Sequence, residues 1–184
     1  GVFLALVAMA AIFTTTSSSR MARISAWLNP DSPALEAFNW QFQHGTWALA
    51  AGGIFGVGLG NSKMKWSWIP EVENDFIFAV IGEELGLVGA VVVIGMFGLL
   101  VASLFGIMLR AQSSFARITV LGIAIWILGQ SMVNIAVVLG LLPVLGVPLP
   151  LISAGGSSLI ATLAAIGIVL AIEKDNHRTL GVRR

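Results

Sequence analysis

Hydrophobic residues along this chain come in long runs and not in alternation. Residues 1–19 carry no charge, and 1–13 are almost wholly apolar. Ala37–Ser62 holds no acidic or basic side chain, although Gln41, Gln43, His44 and many glycines interrupt it. Leu85–Leu109 and Ile118–Ile172 are free of charge. The last run is too long for one helix. Gly140, Pro143, Gly146, Pro148 and Pro150 divide it, because proline removes a backbone donor and clashes inside a helix. A helix needs about 20 apolar residues to cross a hydrocarbon core of roughly 30 Å. The pattern predicts an all-α, polytopic transmembrane helix bundle. Its spans fall at about 1–17, 39–57, 77–109, 118–140 and 151–172 of a single transmembrane domain covering 1–184.

Composition narrows the class further. Hydrophobic residues make up 57% of the 184, charged residues 10%, and mean hydropathy is +0.94. Soluble domains carry about 25% charged residues. These values exclude a soluble globular protein, a disordered chain and a nucleic-acid binder. A net charge of +1 offers no broad field to steer polyanions. The absence of cysteine excludes disulfides and thiolate metal sites. The chain starts at Gly1 inside an apolar run, with no initiator Met and no signal-peptide n-region. That start predicts a fragment, the C-terminal part of a longer membrane protein.

Charges suggest an orientation. Arg20 and Arg23 follow the first span, Arg110 and Arg117 bracket the loop after the third, and Lys174, Arg178, Arg183 and Arg184 form the tail. Positive loops stay cytoplasmic. The reading therefore places 18–38, 110–117 and the tail 173–184 in the cytoplasm, and 58–76 and 140–150 outside. It requires 39–57 to cross, so that the chain returns to the side of Arg110.

The outer loops hold the candidate chemistry. Asp75 stands at the mouth of the third span, where it can cap the helix or act in catalysis; the two are compatible. Trp66 and Trp68 suit the headgroup layer. Lys63 and Lys65 can attract lipid phosphates. Glu83 and Glu84 lie about two turns into the span, where a charge is expensive unless paired or facing a wet cavity. Gln130 and Asn134 share one helix face and are expected to hydrogen-bond across helices. Ser157 and Ser158 open the last helix, either as small packing residues or as part of an anion-binding N-terminus.

Both outer segments resemble the motifs of the SEDS family (shape, elongation, division and sporulation). The likeness is strongest to its cell-division member. It is carried by Gly58-Leu59-Gly60-Asn61-Ser62, Lys65, Pro70-Glu71 and Asp75-Phe76-Ile77-Phe78 through Gly82-Glu83-Glu84-Leu85-Gly86. Asn134 through Ser158, and Arg20-Met21-Ala22-Arg23 with Leu28-Asn29-Pro30 and Gln41, extend it. Trp68 and Ala154 stand where the family usually has tyrosine. The resemblance implies the C-terminal half of a peptidoglycan glycosyltransferase of about ten transmembrane helices in the bacterial inner membrane, with its active site on the outer face at the division septum. It implies lipid II as donor and acceptor, a class B penicillin-binding protein and other divisome membrane proteins as partners, and no nucleic acid.

The site that follows has Asp75 as catalytic base. Lys65, Asn61, Ser62, Glu71, Ser157 and Ser158 would bind substrate, and Glu83, Glu84, Gln130 and Asn134 would form a supporting network. No resident metal is assigned, although a divalent cation, Mg or Mn, could assist at the diphosphate. The fragment alone is expected to be inactive. The competing readings are a lipid II flippase, whose path would be lined by Glu83, Glu84, Gln130 and Asn134, and a non-catalytic divisome scaffold.

Overall fold

The computed structural model describes residues 17–29, 32, 36–62 and 75–182, with backbone alone at 36–39, 41–42 and 177–182. All regular structure among the described residues is helical. In chain order the helices are α1 (Ser18–Leu28), α2 (Glu36–Gly52), α3 (Ile77–Arg110), α4 (Ser114–Val138) and α5 (Gly156–Val182). Among the described residues three helices, Ile77–Arg110, Ser114–Val138 and Gly156–Asn176, are long and apolar enough to cross a membrane. They overlap the apolar stretches 77–109, 118–140 and 151–172, the last helix starting only at Gly156. The expected span at 1–17 lies outside the described residues, save Ser17.

The turn at 111–113 folds α4 back along α3. Ser113 caps α4, its Oγ accepting from Ala116 N at 3.1 Å, which satisfies one of the donors a helix start leaves without an internal partner. Val93, Phe97 and Leu104 of α3 belong to the same buried core as Val120, Ala124 and Ile127 of α4. Gln112 N donates to Asn176 Oδ1 at 3.3 Å, so the C-terminal part of α5 meets this turn. Outward faces stay apolar, with Leu87, Val91, Leu99, Ile160 and Leu170 exposed. Such faces suit lipid tails, which are as apolar as leucine.

α3 is not one straight helix. Gly86, at φ 67° and ψ −160°, breaks it into a short first part and a longer part of about 36 Å from Leu87 to Arg110. A break leaves carbonyls unpaired on one side and N–H groups on the other. The irregular segment after α2 supplies both partners. Val57 N and Gly58 N donate to Glu83 O (2.9 Å) and Glu84 O (3.1 Å). Leu87 N and Val88 N donate to Gly53 O (2.9 Å) and Ile54 O (3.3 Å). A Cβ on Gly86 would lie 2.5 Å from Gly56 N and Ile54 O, so only glycine admits this approach.

Two topological expectations are corrected here. α2 runs beside the first part of α3 in the same direction, with Gly45 against Phe76 and Gly52 against Gly82. It ends at the break and reaches no further along the bundle. The stretch 39–57 is therefore a helix that stops at Gly52 and a segment that turns back, and it does not carry the chain to the far end marked by Gln112 and Asn176. Nor does α1, the described first part of the expected inner loop 18–38, lie opposite 140–150. Arg23 Nη1 donates to Val144 O at 3.2 Å and Trp27 Nε1 to Gly140 O at 2.9 Å, so both segments sit at one end. The physical reason is that counting arginines presumes every hydrophobic stretch crosses. A stretch that enters and returns leaves Arg20 and Arg23 at the end opposite Arg110 and Arg117.

Candidate active site

Asp75 directly precedes Phe76, the N-terminal flanking residue of α3. Phe76 and Phe78 are buried in the core, and they anchor the chain on either side of the helix start. Asn134, on α4, holds the same point from across the bundle. Its Nδ2 donates to Asp75 O at 2.8 Å and to Val147 O at 2.7 Å. One helical turn earlier, Gln130 Nε2 donates to Pro148 O at 2.9 Å. The two amides thus tie the proline-rich segment 140–150 to α4 and to Asp75. Both bond to backbone carbonyls outside the helices, at Val147 and Pro148 of the irregular segment and at Asp75 just before α3, and not to another helix as expected. Ser153 continues the anchoring, its Oγ accepting from Leu149 N at 2.7 Å.

α1 packs over this end and makes a cleft of about 490 Å³ with the segment 143–147. Arg20, Arg23 and Ile24 line one side, and Val144, Leu145 and Val147 the other. Gly146 stands between two of these lining residues. A Cβ there would meet Asp75 Oδ2 at 3.5 Å and Arg23 Nη1 at 3.8 Å. A carboxylate and a guanidinium therefore approach the same glycine, beside a cleft lined by polar residues of and before α1 on one side and by apolar residues on the other. This arrangement can accept a proton next to a place where negative charge is stabilised.

The remaining candidates are spread more widely. Lys65 and Glu71 lie outside the described residues. Ser62 is 1% exposed, and its Oγ donates to the Glu83 carboxylate, Oε2, at 2.5 Å; Glu83 is 4% exposed. Pairing is the expected condition for a carboxylate buried at this depth. Ser62 and Glu83 thus form a buried contact about 12 Å down the helix from Asp75, and Ser62 does not line the cleft. Glu84 is half-buried, and its Oε1 has no hydrogen-bond partner. Asn61 is exposed, and its side chain donates to Val57 O at 3.2 Å, bracing the return segment. Ser157 is exposed and Ser158 half-buried, with the Ser158 carbonyl accepting from Thr162 Oγ1; neither lines the cleft.

Arg20 and Arg23 are the residues that sequence reasoning left out of the site. Their signal was available, since spacing of three places both on one face of a helix. The charge rule assigned them to the wrong end. Among the described residues no three His, Asp or Glu side chains come together as a metal site.

A family model described as "Cell cycle protein", covering FtsW, RodA and SpoVE, matches residues 1–178. The chain belongs to the SEDS family. Among SEDS relatives, a probable peptidoglycan glycosyltransferase FtsW of Mycobacterium tuberculosis is 47% identical over 165 residues, which is 90% of this chain and 31% of that protein. The one from Trichlorobacter lovleyi is 47% identical over 156 residues, 85% of this chain and 41% of that protein. The chain thus spans less than half the length of these two relatives. A solved structure described as "Structural coordination of polymerization and crosslinking by a peptidoglycan synthase complex" aligns with TM-score 0.67 at 34% identity, covering 94% of this chain and 47% of that one. A mutant of the rod shape determining protein RodA from Thermus thermophilus aligns with TM-score 0.58 at 37% identity, covering 78% and 43%.

Proposed function

We propose that this chain is the catalytic end of a peptidoglycan glycosyltransferase that polymerises lipid II during cell division. One observation carries the reading. The Asp75 carboxylate and the Arg23 guanidinium converge on Gly146 at the border of a cleft, at the end of the bundle where the loops gather. The names of the relatives support the reaction class. The synthase complex, named for both polymerisation and crosslinking, supports a transpeptidase partner of the class B penicillin-binding type. The protein would sit in the inner membrane at the septum, with this end facing outward.

In the proposed step the Asp75 carboxylate takes the proton of an acceptor sugar hydroxyl. The hydroxyl oxygen bonds to the anomeric carbon of a second lipid-linked sugar. The bond from that carbon to its diphosphate breaks, and the diphosphate leaves with the electron pair and its lipid. A single displacement inverts the anomeric centre. A positioned general base is worth about 10²–10⁴-fold. Lys65 is the sequence's candidate for the departing charge. A Mg or Mn ion brought with the diphosphate would add to it, but the steps above are assigned to the chain's own residues.

The test is glycan synthesis from lipid II by the full-length protein in detergent. Asp75→Asn is expected to lower the rate by about 10²-fold or more. Retained polymerisation in that variant removes the base role. Detergent has no two leaflets, so chain formation there cannot arise from transport, and its absence in wild type would favour the flippase.

A further inference from the structure

We propose that the turn at 111–113, with Arg110 and Arg117 on either side of it, is a binding site for the head group of an acidic phospholipid. Arg110 closes α3, and Arg117 stands in the first turn of α4. Both side chains are exposed, and neither makes an ion pair among the described residues. The same holds for Lys174, two residues before the Asn176 that meets the turn. Glu173 and Asp175 also lie at this end, and neither pairs with these three cations. A guanidinium carries five N–H donors in a planar fork that matches phosphate oxygens. Arg117 Nη2 donates to Ala111 O at 3.3 Å, which spends one of them and lays the fork along the turn. Gln112 Nε2 donates to Arg110 O at 3.3 Å, so a neighbouring side chain, and not the arginine, covers that carbonyl at the end of α3. Ser113 Oγ accepts from Ala116 N, and a hydroxyl that accepts still has its own hydrogen to donate. The first turn of α4 has no acidic residue, so the positive end of that helix adds to the field of the arginines.

The neighbours of these cations decide which phosphate fits. Leu109, Phe115 and Ile118 are exposed, Phe115 by 81%. They carry the lipid-facing surface of α3 and α4 up to the arginines. A free phosphate or an acidic soluble protein has no use for that hydrocarbon. A phospholipid joins an anionic phosphodiester directly to acyl chains, and it matches both the guanidinium groups and the apolar residues beside them. On the glycosyltransferase reading this end faces inward, toward the leaflet with the negative surface potential. The contact itself does not depend on the reaction.

The experiment is native mass spectrometry of the full-length protein in detergent, titrated with phosphatidylglycerol. Phosphatidylcholine with the same acyl chains is the zwitterionic comparison. Wild type is expected to bind phosphatidylglycerol about tenfold or more tightly than phosphatidylcholine. Arg110→Gln and Arg117→Gln should each weaken the tightest phosphatidylglycerol by about fivefold, and the double variant by about thirtyfold. Arg117→Lys, which keeps the charge but not the fork, should fall between Arg117→Gln and wild type. Phe115→Glu leaves both arginines in place, and an acid in the first turn favours α4. It should weaken binding by about fivefold, and it decides the matter where the arginine variants lower the melting temperature. Equal affinity for the two lipids in wild type overturns the site. So does unchanged phosphatidylglycerol binding in the double variant or in Phe115→Glu. Displacement of the lipid by equimolar glycerol 3-phosphate also overturns it, since the turn then holds phosphate as such. Polymerisation by Asp75→Asn is a separate measurement at the other end of the bundle, so the lipid site and the glycosyltransferase reading stand or fall independently.

Discussion

Asn134 is 1% exposed, and its single amide group bonds two carbonyls that come from different parts of the chain, at Asp75 and Val147. Replacing it by leucine leaves both carbonyls without that donor inside the protein. Each group so stranded costs about 1–3 kcal/mol. Asn134→Leu is therefore expected to lower the melting temperature in detergent. It should also slow glycan synthesis, because Asp75 loses the bond that fixes its backbone. Gln130→Leu removes a single bond, to Pro148, and should cost about 1 kcal/mol with a smaller loss of rate. Thermal melts and initial rates on the two variants check the ordering. Both amides were legible in the sequence as a polar pair on an apolar helix. Their acceptors were not, since a carbonyl partner leaves no mark in side-chain identity.

Between elements, the decisive feature is the break in α3 and the return segment that fills it. Gly86 occupies a backbone region essentially closed to other residues, at a cost of about 1–3 kcal/mol for any that enter it. Gly86→Ala adds a Cβ against the backbone of Gly56 and Ile54. It is expected to destabilise by at least about 2 kcal/mol and to loosen the four hydrogen bonds that join the two segments. Gly95→Ala serves as the control. Beyond its own helix backbone and chain neighbours nothing lies within 4 Å of a Cβ there, and alanine is the better helix former, so stability should hold or rise by up to about 1 kcal/mol. Melting temperatures of the two variants, with hydrogen exchange at Leu87 and Val88, test the contrast. Hydropathy alone reads 77–109 as one span because a glycine inside an apolar run resembles any other small residue. Its positive φ arises only when a second segment arrives to take the freed N–H and carbonyl groups.

Across the bundle, α1, Asp75 and the segment 140–150 gather at one end, while the 111–113 turn and Asn176 mark the other. These 184 residues hold no cysteine, so single cysteines introduced here report sidedness in a protein otherwise free of cysteine. Ser19→Cys and Leu141→Cys are expected to react with a membrane-impermeant maleimide from the same side, and Gln112→Cys from the opposite side. Labelling of Ser19→Cys together with Gln112→Cys would restore the crossing at 39–57. The three long apolar helices could be read directly from the residues, because a helix satisfies its own backbone hydrogen bonds and so needs only a local run of apolar side chains. The motif around Asp75 was equally visible as a string of residues. Which end the arginines occupy was decided by the tertiary structure. Arg23 and Val144 are 121 positions apart, and nothing local to either records that a helix between them enters the bundle and turns back. The cleft, the convergence on Gly146 and the break at Gly86 all depend on such distant pairs, whose energies exist only once the segments have packed.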